Sequence, residues 1–227
     1  MTSTTTGTSK SATHGSAANT PPGTITGARF SPAADRNKHA ILQALQSLLP
    51  PSGRALEIAS GTGQHVAWFA GHLPQWHWQP TDATPEGFAD ITGHTAGLCN
   101  VQAPRVLDVL KTPWLDGATL RFDAIYCANM IHIAPWATTT ALLQGAAQRL
   151  APNGVLLTYG PYLEDGVPTS EGNLSFDASL RMQNPEWGLR KREAVAQEAA
   201  QAGFGLVQRM AMPANNLLLA WAIERPR

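Results

Sequence analysis

The stretch Arg54-Ala55-Leu56-Glu57-Ile58-Ala59-Ser60-Gly61-Thr62-Gly63 decides the fold. Its first half is a short apolar run of the kind a sheet buries on both faces, and it ends in a glycine turn. Val66, Phe69, Ala70 and Leu73 follow at i, i+3, i+4 and i+7, the spacing of a helix with one apolar face. Strand, glycine turn and helix in that order open a βαβ unit. Upstream, Ser31 and Pro32 suit the cap and first position of a helix. Ile41, Leu42, Leu45, Leu48 and Leu49 carry that helix to Pro50-Pro51. Downstream the alternation continues. Residues 76–81 read as a strand ending at Asp82, 85–97 as a weaker helix, and 101–109 as a segment with a short strand ending near Asp108. Residues 122–128 are a fourth strand, 135–150 a helix closed by Pro152-Asn153-Gly154, and 155–159 a fifth strand. Such alternation argues for a parallel sheet covered by helices on both faces.

The end of the chain departs from that pattern. Residues 160–185 read as irregular, with Ser175 able to cap a short helix from Phe176, and 188–202 read as a helix. Two strand-like runs, 204–212 and 217–223, are joined only by Pro213-Ala214-Asn215-Asn216. A link that short cannot hold a parallel crossover, so the two runs pair as an antiparallel hairpin. The expected fold is therefore α/β, a Rossmann-like, seven-stranded, mostly parallel sheet ending in an antiparallel hairpin, as in class I methyltransferases.

Composition bounds the function. The 227 residues carry 16 basic and 16 acidic side chains, and charged residues are only 14% of the chain. A neutral balance gives no electrostatic support for nucleic acid or an anionic membrane as partner. No apolar run approaches the roughly 18 residues of a membrane helix. Cys99 and Cys127 cannot build a disulfide framework, and a reducing cytoplasm is the expected compartment. In residues 1–27, Thr, Ser, Ala and Gly dominate and Lys10 is the only charge, so this stretch is expected to be a disordered tail before one domain over 28–227. The tail has no apolar signal core and no arginine before Arg29, which disfavours a secretory or transit peptide. The sequence sets no oligomeric state.

Open α/β sheets bind ligands at the C-terminal ends of their strands. There Gly61 and Gly63 let a ligand approach the backbone, and Asp82, nineteen residues after Gly63, is placed to accept hydrogen bonds from ribose hydroxyls. A dinucleotide would want a third small residue where this chain has Val66, which disfavours NAD and FAD. S-adenosylmethionine (SAM) has no phosphate and carries a sulfonium and an ammonium, so the acid Glu57 beside the turn suits it. Residues 57–63 resemble the E/D-x-G-x-G-x-G motif of class I methyltransferases, with Ala59 in place of the first glycine. That resemblance implies that Gly61 and Gly63 face the amino-acid part of SAM, with Glu57 and Ala59 in the same motif. It places Asp82 at the ribose, Asp108 with Val109 at the adenine, and Asn129 near the reacting methyl.

A wider resemblance rests on Arg29-Phe30-Ser31-Pro32-Ala33-Ala34-Asp35-Arg36-Asn37, on residues 56–65, on Ala128-Asn129-Met130-Ile131-His132, on Tyr159-Gly160-Pro161-Tyr162 and on residues 212–216. In this order the segments resemble those of a methyltransferase-like family known as a domain of unknown function, with bacterial and animal members. It implies a SAM-dependent methyltransferase fold, with S-adenosylhomocysteine (SAH) as product, and leaves the acceptor open. On that resemblance Arg36 and Asn37 are expected near the cofactor carboxylate, the alternative being a helix cap.

Methyl transfer requires alignment, exclusion of water and, for a protonated acceptor, a base. His132 is the expected base, with Asn129 and Tyr159 beside it, since imidazole titrates near neutrality; a structural histidine is the alternative. Tyr162, Asn173, Phe176, Asp177 and Arg181 are expected to meet the acceptor, although an Asp177–Arg181 ion pair would equally explain two of them. Asn215 and Asn216 also suit a plain turn. His65, His72, His77 and His94 lack ligand spacing, so no metal is expected. The expected activity is methyl transfer to a small molecule; the alternative is a silent SAM- or SAH-binding protein that regulates a partner.

Overall fold

The computed structural model describes residues 1–2, 27–117 and 119–224. The proposed disordered tail lies, except at its two ends, outside the described residues. Helix α1 (Pro32–Leu48) starts where expected: the Ser31 side chain accepts from the Ala34 amide, and Pro32 occupies the first turn. Then follow β1 (Gly53–Ile58), α2 (Gln64–His72), β2 (Trp76–Asp82), α3 (Phe88–His94), β3 (Arg105–Val106), β4 (Phe122–Ala128), α4 (Trp136–Arg149), β5 (Leu150–Gly160), α5 (Glu171–Gln183), α6 (Arg192–Gln201), β6 (Phe204–Met212) and β7 (Asn216–Ile223).

The strands form one seven-stranded sheet in the order β3-β2-β1-β4-β5-β7-β6. Strands β1 to β5 run parallel, and β7 pairs antiparallel with both β5 and β6. The mostly parallel sheet ending in an antiparallel hairpin is as expected. Alternate residues along the strands face two separate cores. Leu56, Ile58, Ile125, Leu156 and Trp221 face one core, with Leu142, Leu143 and Ala146 of α4 and Val195 and Ala199 of α6. Ala55, Tyr126, Leu157, Tyr159 and Leu218 face the other, against Ile41 and Leu45 of α1, Val66 and Phe69 of α2, and Ile91 of α3.

Two elements differ from the sequence reading. The irregular stretch contains a full helix, α5, capped by Ser170, whose hydroxyl accepts from the Asn173 amide, rather than a short helix capped by Ser175. Its apolar periodicity is faint because α5 buries only Leu180. Strand β5 begins at Leu150 rather than 155, with Asn153 at a positive φ of 68° where the register on β4 shifts. At the β6–β7 turn, Ala214 and Asn215 both take positive φ, the geometry that twisted hairpins favour. Among the described residues no helix is long and apolar enough to cross a membrane.

Candidate active site

The glycine turn sits at the C-terminal end of β1 and alternates left-handed residues: Ala59, Gly61 and Gly63 have φ of 55°, 57° and 79°. The two glycines serve different ends. A Cβ on Gly63 would lie 2.7 Å from the Ile91 Cα, so this glycine lets α3 pack on the turn. A Cβ on Gly61 would meet nothing within 4 Å, so the turn is open above it. Asp82, at the end of β2, holds the turn from the side: one carboxylate oxygen accepts from the Gly61 amide at 2.9 Å and the other from the Ala83 amide at 2.8 Å. Thr81 completes the brace, its hydroxyl donating to the Glu57 carbonyl and its carbonyl accepting from the Ser60 amide.

Glu57 is 2% exposed, beneath the turn rather than on its surface. Burial pushes its carboxyl up to about 8; the Ser60 hydroxyl bonds to it and opposes the shift, while the nearby Asp82 charge adds to it. One of its oxygens is buried without a partner. Glu57 is therefore mostly protonated at neutral pH in the protein as folded, and a cation bound above it would favour its ionised form.

Asp108 follows β3. Its carboxylate accepts from the Leu110 amide at 3.0 Å and pairs with Lys111 at 3.4 Å. The Val109 side chain is buried in the core, and its carbonyl accepts from the Trp114 indole. The expected place of Val109 at a ligand is not seen: the residue is buried and its carbonyl is already used.

On the other side of β1, one cleft of about 640 Å³ opens between α1, the ends of β4 and β5, α5 and the β6–β7 turn. It brings together five of the expected residues from α1, β5 and α5, namely Arg36, Asn37, Tyr159, Asn173 and Phe176, with Asn129 just beyond β4. Asn129 has a positive φ of 60°, which Asn tolerates, and its amide donates to the Tyr159 carbonyl at 2.8 Å. Asn37 accepts from His65 Nε2 at 2.6 Å and also hydrogen-bonds the Tyr159 hydroxyl, which accepts from Asn216 Nδ2 at 3.0 Å. Burial holds His65 down at about 4, so the ring is neutral and its proton sits on the nitrogen facing Asn37. Asn173 donates to the Asn215 carbonyl at 2.8 Å, docking α5 on the hairpin turn.

Four expected residues lie elsewhere. His132 has no exposed surface: its Nδ1 accepts from the Arg190 amide, its ring packs edge-on against Tyr162, and burial holds it down at about 3. A Cβ on Gly160 would overlap its Nε2, so the ring sits behind Gly160 instead of in the cleft. With Nδ1 occupied by the Arg190 amide and Nε2 enclosed, the ring does not reach a molecule in the cleft, and the expected general base is corrected to a buried packing residue. Tyr162 is also buried, its hydroxyl donating to Thr158 at 2.8 Å. Asp177 and Arg181 form the ion pair, at 2.9 Å, and Asp177 also accepts from the Leu189 amide. These two pin the chain after α5; they do not line the cleft.

Sequence reasoning missed Ala33, Ile133, Pro161, Pro213 and Ala214 in the cleft wall. It also missed Arg190, whose guanidinium donates to the carbonyls of Ile131, Ala134 and Glu186 and so holds the loop after β4. Small or apolar residues carry no chemical signature, and only their convergence marks them.

Solved structures with the same fold include several methyltransferases. The mitomycin 7-O-methyltransferase MmcR matches with a TM-score of 0.72 at 14% identity, over 85% of this chain and 54% of that one. CalO1, a methyltransferase in calicheamicin biosynthesis solved in its SAH-bound form, matches at 0.66 and 14% identity, over 82% and 54%. An O-methyltransferase family protein from Burkholderia thailandensis matches at 0.64 and 16% identity, over 84% and 59%. The chain spans a little over half the length of these proteins. Its fold is that of a class I methyltransferase. Residues 28–223 match the model of the family described as protein of unknown function DUF938, and the chain belongs to that family.

Proposed function

We propose that this protein is a SAM-dependent methyltransferase acting on a small molecule. The observation that carries the reading is the glycine turn, open above Gly61 and clamped by Asp82, next to a cleft of small-molecule size. The donor set suits the cofactor: carboxylates at the ends of β2 and β3, exposed backbone at Gly61, and a buried acid, Glu57, whose ionisation a nearby cation favours. SAM bound there supplies an electrophilic methyl group. Asp82 has lone pairs left for ribose hydroxyls after accepting from Gly61 and Ala83, and Asp108 stands at the adenine end. The Asn129 side chain has no partner among the described residues and is available to orient the acceptor atom.

Among the described residues the cleft wall holds amides, a phenol, a guanidinium and apolar groups, and no side chain suited to act as a base near neutral pH. Catalysis here would rest on alignment and exclusion of water, which suits an acceptor already nucleophilic at working pH. The same observation supports a second reading, a SAM- or SAH-binding protein without turnover. Incubating the protein with methyl-labelled SAM and a metabolite extract separates them: a labelled small molecule supports the enzyme, and SAH binding without any labelled product supports the silent binder. The neutral charge favours a small molecule over nucleic acid as acceptor, and the two unpaired cysteines, exposed Cys99 and buried Cys127, suit a reducing compartment.

A further inference from the structure

Among the described residues one charged side chain lines the cleft. Arg36, on the exposed face of α1, has no ion pair or hydrogen bond among the described residues, and no acid lines the cleft to balance it. Three of the four cleft amides are already committed: Asn37 to His65 and Tyr159, Asn173 to Asn215, and Asn216 to Tyr159. Much of the remaining wall is apolar, from Ile133, Pro161, Phe176, Pro213 and Ala214, and both Phe176 and Ile133 are more than 40% exposed, at 41% and 45%. The wall thus presents a single positive charge, one free amide at Asn129, and broad apolar flanks.

We propose that the acceptor is a monoanionic small molecule with a flat apolar or aromatic body, whose carboxylate is held by Arg36. This deepens the methyltransferase reading and rests on it for the identity of the site. The fork of a guanidinium matches a carboxylate with two parallel hydrogen bonds, and a body stacked on Phe176 and Ile133 would cover apolar surface that otherwise faces water. A phosphate dianion would leave a charge uncompensated here. The residues sharing the cleft with Arg36 come from the ends of β4 and β5, from α5 and from the β6–β7 turn, across β1 from Asp82 and Asp108 and so away from the ribose and adenine ends of the SAM site; the SAH arm of the test below separates an acceptor carboxylate from the cofactor's own. A carboxylate on Arg36 with the body on Phe176 leaves the far end of the molecule facing Asn129.

The test uses 2-naphthoate and 2-naphthamide, which match in shape and differ in charge, titrated calorimetrically into the full chain with and without SAH. The expected result is that naphthoate binds about tenfold or more tightly than naphthamide. Arg36→Gln should bring the two within about twofold, and Arg36→Lys should restore only part of the preference, with SAH affinity held in both variants. Equal binding of the two probes to the unmodified protein would overturn the proposal. So would an Arg36→Gln variant that loses SAH affinity and keeps its preference for naphthoate, since Arg36 would then serve the cofactor. Failure of the unmodified protein to bind SAH would count against the functional reading alone, because the probe titrations without SAH still measure the carboxylate preference and its dependence on Arg36.

Discussion

The Gly61 amide donates to the Asp82 carboxylate across 2.9 Å, joining the end of β1 to the end of β2. One carboxylate thereby shapes the glycine turn and, on the proposed reading, also meets the ribose. Removing it should disturb both the turn and whatever the turn holds.

The two glycines of the turn should respond differently to alanine. Gly63→Ala forces a Cβ against the Ile91 backbone as well as a strained φ, so a loss of about 3 kcal/mol or more is expected. Gly61→Ala adds a Cβ in open space and should cost only about 1 kcal/mol of stability, yet weaken SAH binding about tenfold or more. Urea denaturation with SAH calorimetry on both variants checks this; equal effects on stability would refute the division of roles.

Ala59 stands in the left-handed region at φ 55°, where a side chain is strained. Ala59→Gly relieves that strain at some cost in unfolded-chain entropy, and a net stabilisation of about 0.5–1 kcal/mol is expected. Thermal unfolding should show a midpoint higher by about 1–4 °C.

Glu57 sets a dependence on pH. Its ordinary value of 4.5 is pushed up to about 8, so the folded protein binds this proton more tightly than the unfolded chain. The associated stability is complete below about 4.5 and is lost as pH rises through 8. Glu57→Gln cannot ionise, so its stability should fall less between pH 5 and pH 9 than that of the unmodified protein in chemical denaturation. Parallel profiles would contradict the buried, protonated carboxyl. Because a bound cation favours ionised Glu57, SAM binding near neutrality should also release protons, seen as heats of binding that vary with buffer ionisation enthalpy.

Gly160 and His132 occupy one space. Gly160→Ala must displace a buried ring and also presses on Asn129 Oδ1, 3.2 Å from the added Cβ, and a loss of about 1–3 kcal/mol is expected. Urea denaturation checks it; unchanged stability would show that the His132 ring can move aside.

Much of this arrangement is legible in the sequence because it is local. The run 54–63 announces strand and turn, Asp82 falls at the next strand end, and the four-residue link after Met212 compels a hairpin. Helix α5 is hidden because a helix that buries one side chain, Leu180, leaves almost no period to read. The role of His132 depends on Gly160 and Arg190, 28 and 58 residues away, and no spacing along the chain reveals that both enclose it. The Asp177–Arg181 pair is visible as an i, i+4 spacing, but its grip on Leu189 is not.

The central claim is a SAM site on the glycine turn, and calorimetric titration of SAH into the protein and into Asp82→Ala tests it most directly. Saturable binding in the micromolar range that weakens about tenfold or more in Asp82→Ala is the predicted result. No binding to the unmodified protein, or equal affinity in the two, would contradict it.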